Sequence, residues 1–206
     1  MRKLAIVGVE KEIIELAQEC GFKVAGIFDK NSNVRVFNLP VLGNDDSWER
    51  IHKEIQDLQV AIALDIPLLK EKLASQYGFE NLATVISNSS YISPSATIQK
   101  GSLVQRGVKI MPDARIGRVC KLNVNATVHH DCVVGDFCTL APGCMLLGAV
   151  IIEERVFIGA GAIILPKVKV GRDSIIGAGA VVVDDVPAGI TVVGVPARPL
   201  VKEYVE

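Results

Sequence analysis

Every sixth residue from Ile92 to Val182 is Ile, Leu or Val, with no break in register. The series runs Ile92, Ile98, Val104, Ile110, Ile116, Leu122, Val128, Val134, Leu140, Leu146, Ile152, Ile158, Ile164, Val170, Ile176, Val182. If about a quarter of residues were of these types, such a run would arise by chance less than about once in a billion. The fourth residue after each is restricted too, from Ala96 and Ser102 through Cys120, Cys132, Cys138 and Cys144 to Ala180 and Val186. Nothing larger than valine occurs there. This is the pattern of a hexapeptide parallel β-helix, in which each hexad supplies one short strand and one corner. Three hexads close a triangular coil of eighteen residues, with the aliphatic residue inside and the small one at the turn. The period does not fix the hand, and the usual crossover preference would favour a right-handed coil.

Residues 1 to about 85 follow a different grammar. "KLAIVGV" (Lys3 to Val9), "KVAGIFD" (Lys23 to Asp29) and "VAIALD" (Val60 to Asp65) read as strands. Ile13, Ile14, Leu16 and Ala17 fall at helical spacing, with a stop at Gly21. "SWERIHKEIQDL" reads as an amphipathic helix. "DIPLLKEKLASQYG" reads as another, with Asp65 as N-cap, Pro67 in the first turn and an end near Gly78. "TVIS" (Thr84 to Ser87) is expected to close the sheet. Alternating strands and helices indicate a small Rossmann-like parallel α/β domain over 1–88, followed by the all-β parallel β-helix over 89–206.

Bulk properties narrow the partners. A net charge of −1 gives no electrostatic case for nucleic acid or an anionic membrane. The basic start precedes too short an apolar run for a secretory signal, and "CMLLGAVII" is too short to span a bilayer. A cytoplasmic protein is expected, and five cysteines, an odd number, fit a reducing compartment. Cys120, Cys132, Cys138 and Cys144 all occupy the small-residue slot, so they are expected to be packing residues rather than a zinc cluster.

Two of the three histidines stand together in "VHHDC" (Val128 to Cys132). His130 lies two residues past Val128, and Gly148 lies two past Leu146, eighteen residues later. They should therefore be neighbours in adjacent coils, about 4.8 Å apart along the stack. An imidazole titrating near neutrality suits a general base, and an acid on its other nitrogen would fix the tautomer. A glycine lets an acyl group approach its backbone N–H closely.

The whole chain resembles the NeuD/PglD-type sugar acetyltransferases. The resemblance is carried by "ISPSATI" at the junction, "LNVNATVHHDCVVGDFCTLAPGC" in the middle and "VVGVPARPL" near the end. It implies a left-handed β-helix, a homotrimer with active sites in the grooves between subunits, and acetyl-CoA as co-substrate. The implied reaction is N-acetylation of a nucleotide-linked 4-amino-4,6-dideoxy sugar for bacterial surface glycan synthesis. O-acetylation of a sialic acid or another small acceptor, and a non-catalytic trimeric scaffold or sensor, stand as alternatives. The resemblance makes His130 the catalytic base and Asp131 its adjacent acid. It puts Gly148 against the acetyl carbonyl and Asn123 near the sugar, with His129 where many relatives carry glutamate. Backbone amides at Ala160 and Ala178 are implied to bind the pantetheine arm, with Arg198 or Lys202 pairing with a phosphate of CoA.

The first β–α turn departs from the family. "VGVEKEI" keeps Gly8 but lacks the other glycines, and Glu10 and Glu12 would repel a diphosphate if they faced it. "LDIP" replaces the polar pair expected after the third strand. Asp29 and Lys30 remain after the second strand to meet a ribose or base. A carbonic-anhydrase-like zinc site would need three histidines at coil spacing, and His52, His129 and His130 do not supply it. No metal is expected.

Overall fold

The computed structural model describes residues 2–31 and 36–200. Its α/β layer contains β1 (Lys3–Val7), α1 (Lys11–Glu19), β2 (Lys23–Phe28), β3 (Val41–Gly43), α2 (Trp48–Glu54), β4 (Leu58–Ile62) and α3 (Pro67–Tyr77). The four strands are parallel in the order β3-β2-β1-β4. Helix α1 buries the Ile13, Ile14, Leu16 and Ala17 face foreseen from its spacing. It ends in a Schellman arrangement: Phe22 N–H donates to Ala17 C=O, Gly21 N–H donates to Gln18 C=O, and Gly21 takes a φ of 78°.

Four points depart from expectation. Strand β3 was not foreseen. Asp65 does not cap α3: Ile66 holds the N-cap position with no side-chain bond, because the Asp65 carboxylate turns to Lys121 Nζ at 3.1 Å. "TVIS" does not close the α/β sheet. Val85–Ile86 instead pairs in parallel with Leu103–Val104, and Ile86 extends the six-residue period one step further back. The "SWERIHKEIQDL" helix is also shorter than expected, since the chain turns extended at Ile55 and left-handed at Asp57 to enter β4.

From Val85 to Val182, two-residue strands stack into three parallel sheets. Strand partners are eighteen residues apart, as in Thr127 with Met145 and Val128 with Leu146. All the period-six aliphatics are buried except Ile86, Ile92 and Ile98 near the first coil, which are half-buried. The small-slot cysteines are buried and unpaired. The Cys120, Cys132 and Cys138 thiols donate to backbone carbonyls at 3.0–3.1 Å.

From Ile98 to Ile176, each corner uses one residue in the left-handed region, always three past the aliphatic position. Gly101, Gly107, Asp113, Val119, Asn125, Asp131, Phe137, Gly143, Ala149, Arg155, Gly161, Lys167, Asp173 and Gly179 all have φ between 54° and 81°. Glycine, asparagine and aspartate enter this region most readily.

The α/β layer covers one β-helix face, the one carrying Leu103, Lys121 and Thr139. Two lysines are buried at the junction. Lys70, on α3, donates to Cys138 C=O and Thr139 Oγ1, both at 2.8 Å. Lys121 donates to Ala63 C=O at 2.8 Å, and Thr139 Oγ1 donates to Asp65 C=O at 2.8 Å.

Candidate active site

The corner after strand Thr127–Val128 carries His130. Its column, at eighteen-residue steps, reads Pro94, Pro112, His130, Gly148, Pro166. Proline fits this slot because the coil does not use the N–H there; neighbouring coils are stitched by the next residue. Asp131 N–H donates to Pro112 C=O, Ala149 N–H to His130 C=O, and Lys167 N–H to Gly148 C=O, at 2.9–3.0 Å. Among the described residues the Gly148 N–H donates to no protein acceptor. Gly148 therefore offers a backbone donor where three of its column mates are prolines.

Asp131 sits in the left-handed corner conformation, at φ 61°. That turn brings its Oδ2 to 2.7 Å from His130 Nδ1. The opposite edge of the ring rests on Gly148. A β-carbon built at Gly148 would stand 2.7 Å from both Nε2 and Cε1 of His130, so any side chain there would displace the imidazole. The expected juxtaposition of His130, Asp131 and Gly148 is thus present, with Nε2 and a spare amide on one corner. The His130 side chain is 61% exposed. His129 is half-buried, its ring 6.4 Å from that of His130, and it is not part of the bonded pair.

Asn123 lies in a buried ladder. Its Oδ1 accepts from Gln105 Nε2 at 3.1 Å, and its Nδ2 donates to Leu140 C=O at 3.0 Å. Gln105, eighteen residues earlier, was missed from sequence because a lone glutamine carries no signal until the coil spacing is applied.

Ala160 and Ala178 are exposed and stacked, with Gly179 N–H donating to Ala160 C=O at 2.8 Å. Among the described residues their own N–H groups also donate to no protein acceptor, and the residue one coil before them is Pro142. Gly159 beside them is obligatory, since a β-carbon there would meet Ala178 N at 2.5 Å. This is a column of free amides among small residues, suited to an extended amide-bearing chain such as pantetheine. Arg198 donates to Ala197 C=O and lies 3.8 Å from Asp184. Lys202 falls outside the described residues.

Gly8, Asp29 and Lys30 meet in one cavity of about 540 Å³ at the carboxyl ends of β1 and β2. Its lining also includes Phe28, Asn44, Asp46, Leu69, Lys72 and Gln76, and none of its lining residues comes from the β-helix. Asp29 Oδ1 accepts from Asn31 N–H at 2.8 Å. Glu10 lies 3.8 Å from Lys121 Nζ, and burial raises its pKa above the ordinary carboxylate value. Among the described residues, no group of three or more His, Cys, Asp or Glu is placed to hold a metal ion, and no helix is long and apolar enough to cross a membrane.

Comparison with known proteins agrees with this fold. The bacterial transferase hexapeptide (six repeats) family matches residues 113–148 and 149–184. GDP-perosamine N-acetyltransferase of Escherichia coli O157:H7 is 34% identical over 194 residues, spanning 89% of this chain and 86% of that one. The crystal structure of a histidine-to-alanine mutant of GDP-perosamine N-acetyltransferase from Caulobacter crescentus, in complex with CoA and GDP-perosamine, superposes with a TM-score of 0.92. It is 34% identical and covers 97% of each chain. The acetyltransferase domain of PglB from Neisseria gonorrhoeae FA1090, in complex with acetyl coenzyme A, superposes at 0.90 with 31% identity. That match covers 97% of this chain and 99% of the other. Superposition this close gives the coil the left-handed sense of these relatives. By its repeat and its likeness over most of the chain, this chain belongs to the NeuD/PglD-type hexapeptide-repeat sugar acetyltransferases.

Proposed function

We propose that this protein transfers the acetyl group of acetyl-CoA to the amine of a nucleotide-linked 4-amino-4,6-dideoxy sugar, a GDP-perosamine-like acceptor. Its full-length likeness to GDP-perosamine N-acetyltransferases supports that substrate class. The observation that carries the chemistry is the corner where His130 Nε2 lies against Gly148 while Nδ1 holds Asp131 at 2.7 Å.

His130 Nε2 takes the amine proton as nitrogen bonds to the thioester carbon. Asp131 keeps the ring in the tautomer with its lone pair on Nε2 and stabilises the imidazolium that forms. The free Gly148 N–H donates to the carbonyl oxygen as it gains charge. When the carbon–sulfur bond breaks, the imidazolium returns its proton to the departing thiolate, leaving CoA thiol, acetylated amine and neutral His130. The amides of Ala160 and Ala178 hold the pantetheine arm, and Arg198 pairs with a CoA phosphate.

A homotrimer completes the site in this reading. The His130 side chain is exposed, and the outward rows flanking its corner, which hold Lys109 and Thr127 on one face and Arg115 and Lys169 on the next, carry apolar stretches: Met145, Ile163 and Val181, with Val133 and Ile151 exposed at 37% and 43%. Such a stripe calls for a covering partner. Residues 1–88 would then serve the acceptor and 89–206 the transfer, in a cytoplasmic enzyme. The test is CoA thiol release with acetyl-CoA and GDP-perosamine, alongside GDP-sugars lacking the amine. Release that requires the amine and disappears in His130→Ala supports the reading. Release with a free sialic acid and none with the amino sugar overturns it.

A further inference from the structure

The outward row of the β-helix face beneath the α/β layer reads Val85, Leu103, Lys121, Thr139, Phe157 and Ile175 at eighteen-residue steps. Val85 and Leu103 are buried and pack into the α/β core. The next two coils meet the same layer with a lysine and a threonine, 2% and 0% exposed. Sealing the junction does not require them. A leucine seals it one coil below, and a buried ion pair is often no more stabilising than apolar residues of its size.

Both polar side chains reach one segment, residues 63–66 between β4 and α3. Lys121 Nζ donates to Ala63 C=O at 2.8 Å. Thr139 Oγ1 donates to Asp65 C=O at 2.8 Å and accepts from Lys70 Nζ at the same distance. The Asp65 carboxylate lies 3.1 Å from Lys121 Nζ, and α3 goes without a side-chain cap. The same ammonium stands 3.8 Å from the carboxylate of Glu10, where α1 begins. The two turns also touch each other, since a β-carbon at Gly8 would meet Leu64 Cδ2 at 2.7 Å. One β-helix side chain thus engages the turns that follow β1 and β4.

In the functional reading above, residues 1–88 serve the acceptor and residues 89–206 the transfer, so the reaction spans this junction. Misplacing a reacting group by about 1 Å can cost a hundredfold in rate. We propose that Lys121 is a positioning residue for acetyl transfer: it fixes the turns after β1 and β4 on its coil and so holds the acceptor layer at working distance from the transfer column. Thr139 supplies a second attachment one coil higher, about 4.8 Å away along the stack, which resists tilting of the layer. Neither residue lies on the His130 corner. The inference rests on the acetyltransferase reading and adds residues that act through the layer they hold.

Steady-state kinetics of the whole protein with acetyl-CoA and GDP-perosamine, read beside the melting temperature, test it. Lys121→Met keeps the length of the side chain and removes its charge, and both carboxylates are more than a third exposed and can turn to water. It should lower kcat about 10–100-fold while KM for acetyl-CoA stays within about twofold. The melting temperature should move by no more than a few degrees. Thr139→Val, which keeps the shape and removes the donor, should lower kcat in the same manner by about threefold to tenfold. A kcat within about twofold of wild type in Lys121→Met overturns the assignment. So does a loss matched by a lower melting temperature and a raised acetyl-CoA KM, the mark of general loosening. Should Lys121→Met fail to fold, an unchanged kcat in Thr139→Val overturns it equally. A wild type without CoA release on any nucleotide amino sugar sinks the functional reading instead.

Discussion

The two halves of this molecule position side chains by different means. In the β-helix, location follows from arithmetic: eighteen residues separate vertical neighbours, and one rule places His130 on Gly148 and Ala160 on Ala178. In the α/β layer each element is set once, by whatever packs on it. Asp65 leaves the N-cap it was expected to hold because a lysine from the other half captures it. Repetition makes a structure readable and also exposes it to single faults, since one misplaced group loses the neighbour the register supplied.

His130→Ala should break the register's chemical product most sharply. We expect kcat to fall about 10²–10⁴-fold with an unchanged melting temperature, the side chain being exposed. A loss under tenfold in steady-state assays would remove it as the base. Gly148→Ala comes next, because the added methyl meets Nε2 and Cε1 at 2.7 Å. About a hundredfold loss in kcat is expected, comparable to losing one oxyanion donor. Combined with His130→Ala it should add little further loss through Nε2, since the group it displaces is gone. Fully additive losses would separate the two residues.

Leu140→Ala tests the coil interior, where the side chain is fully buried. Chemical denaturation should show a cost of about 2–5 kcal/mol. A cost below about 1 kcal/mol would mean the stack relaxes around the gap more freely than its packing suggests.

The smallest effect belongs to the junction. Burial lowers the Lys70 pKa to about 8, against an ordinary value of 10.5. Above pH 8 the unfolded chain therefore holds more protons at this residue, and its contribution to stability rises with pH up to about 10.5. Cys144, pushed up to about 12, and Cys20, Cys132 and Cys138, also raised by burial, act in the opposite sense as pH approaches and passes their ordinary value of 9. Between pH 8 and 9 the lysine's own share is at most about 1.4 kcal/mol. Urea midpoints should therefore rise more, or fall less, between the two pH values in the wild type than in Lys70→Met. Identical slopes would show that Lys70 is as well solvated folded as unfolded.

The same contrast explains what was legible beforehand. The β-helix was readable to within one hexad of its start, and the His130–Asp131–Gly148 corner followed from it by counting. The left-handed corner residues also recur every six positions, but Val119, Phe137 and Arg155 among them dilute the glycine and aspartate signal. Lys70 and Lys121 were not legible as buried groups. The period shows that Lys121 points outward but not which of the three faces another layer will cover. Strand β3, three residues long at a sheet edge, has too little alternation to be seen.

The left-handed corners carry one more consequence. Because each turn of the column closes only after its third such residue, chain length in this half is a quantised property. A relative could grow or shrink between Val128 and Leu146 only by a whole lap, or by an excursion that leaves a corner and rejoins it at the same point. Any other change would rotate the base away from its amide, so lineages of such enzymes should differ in height by complete storeys.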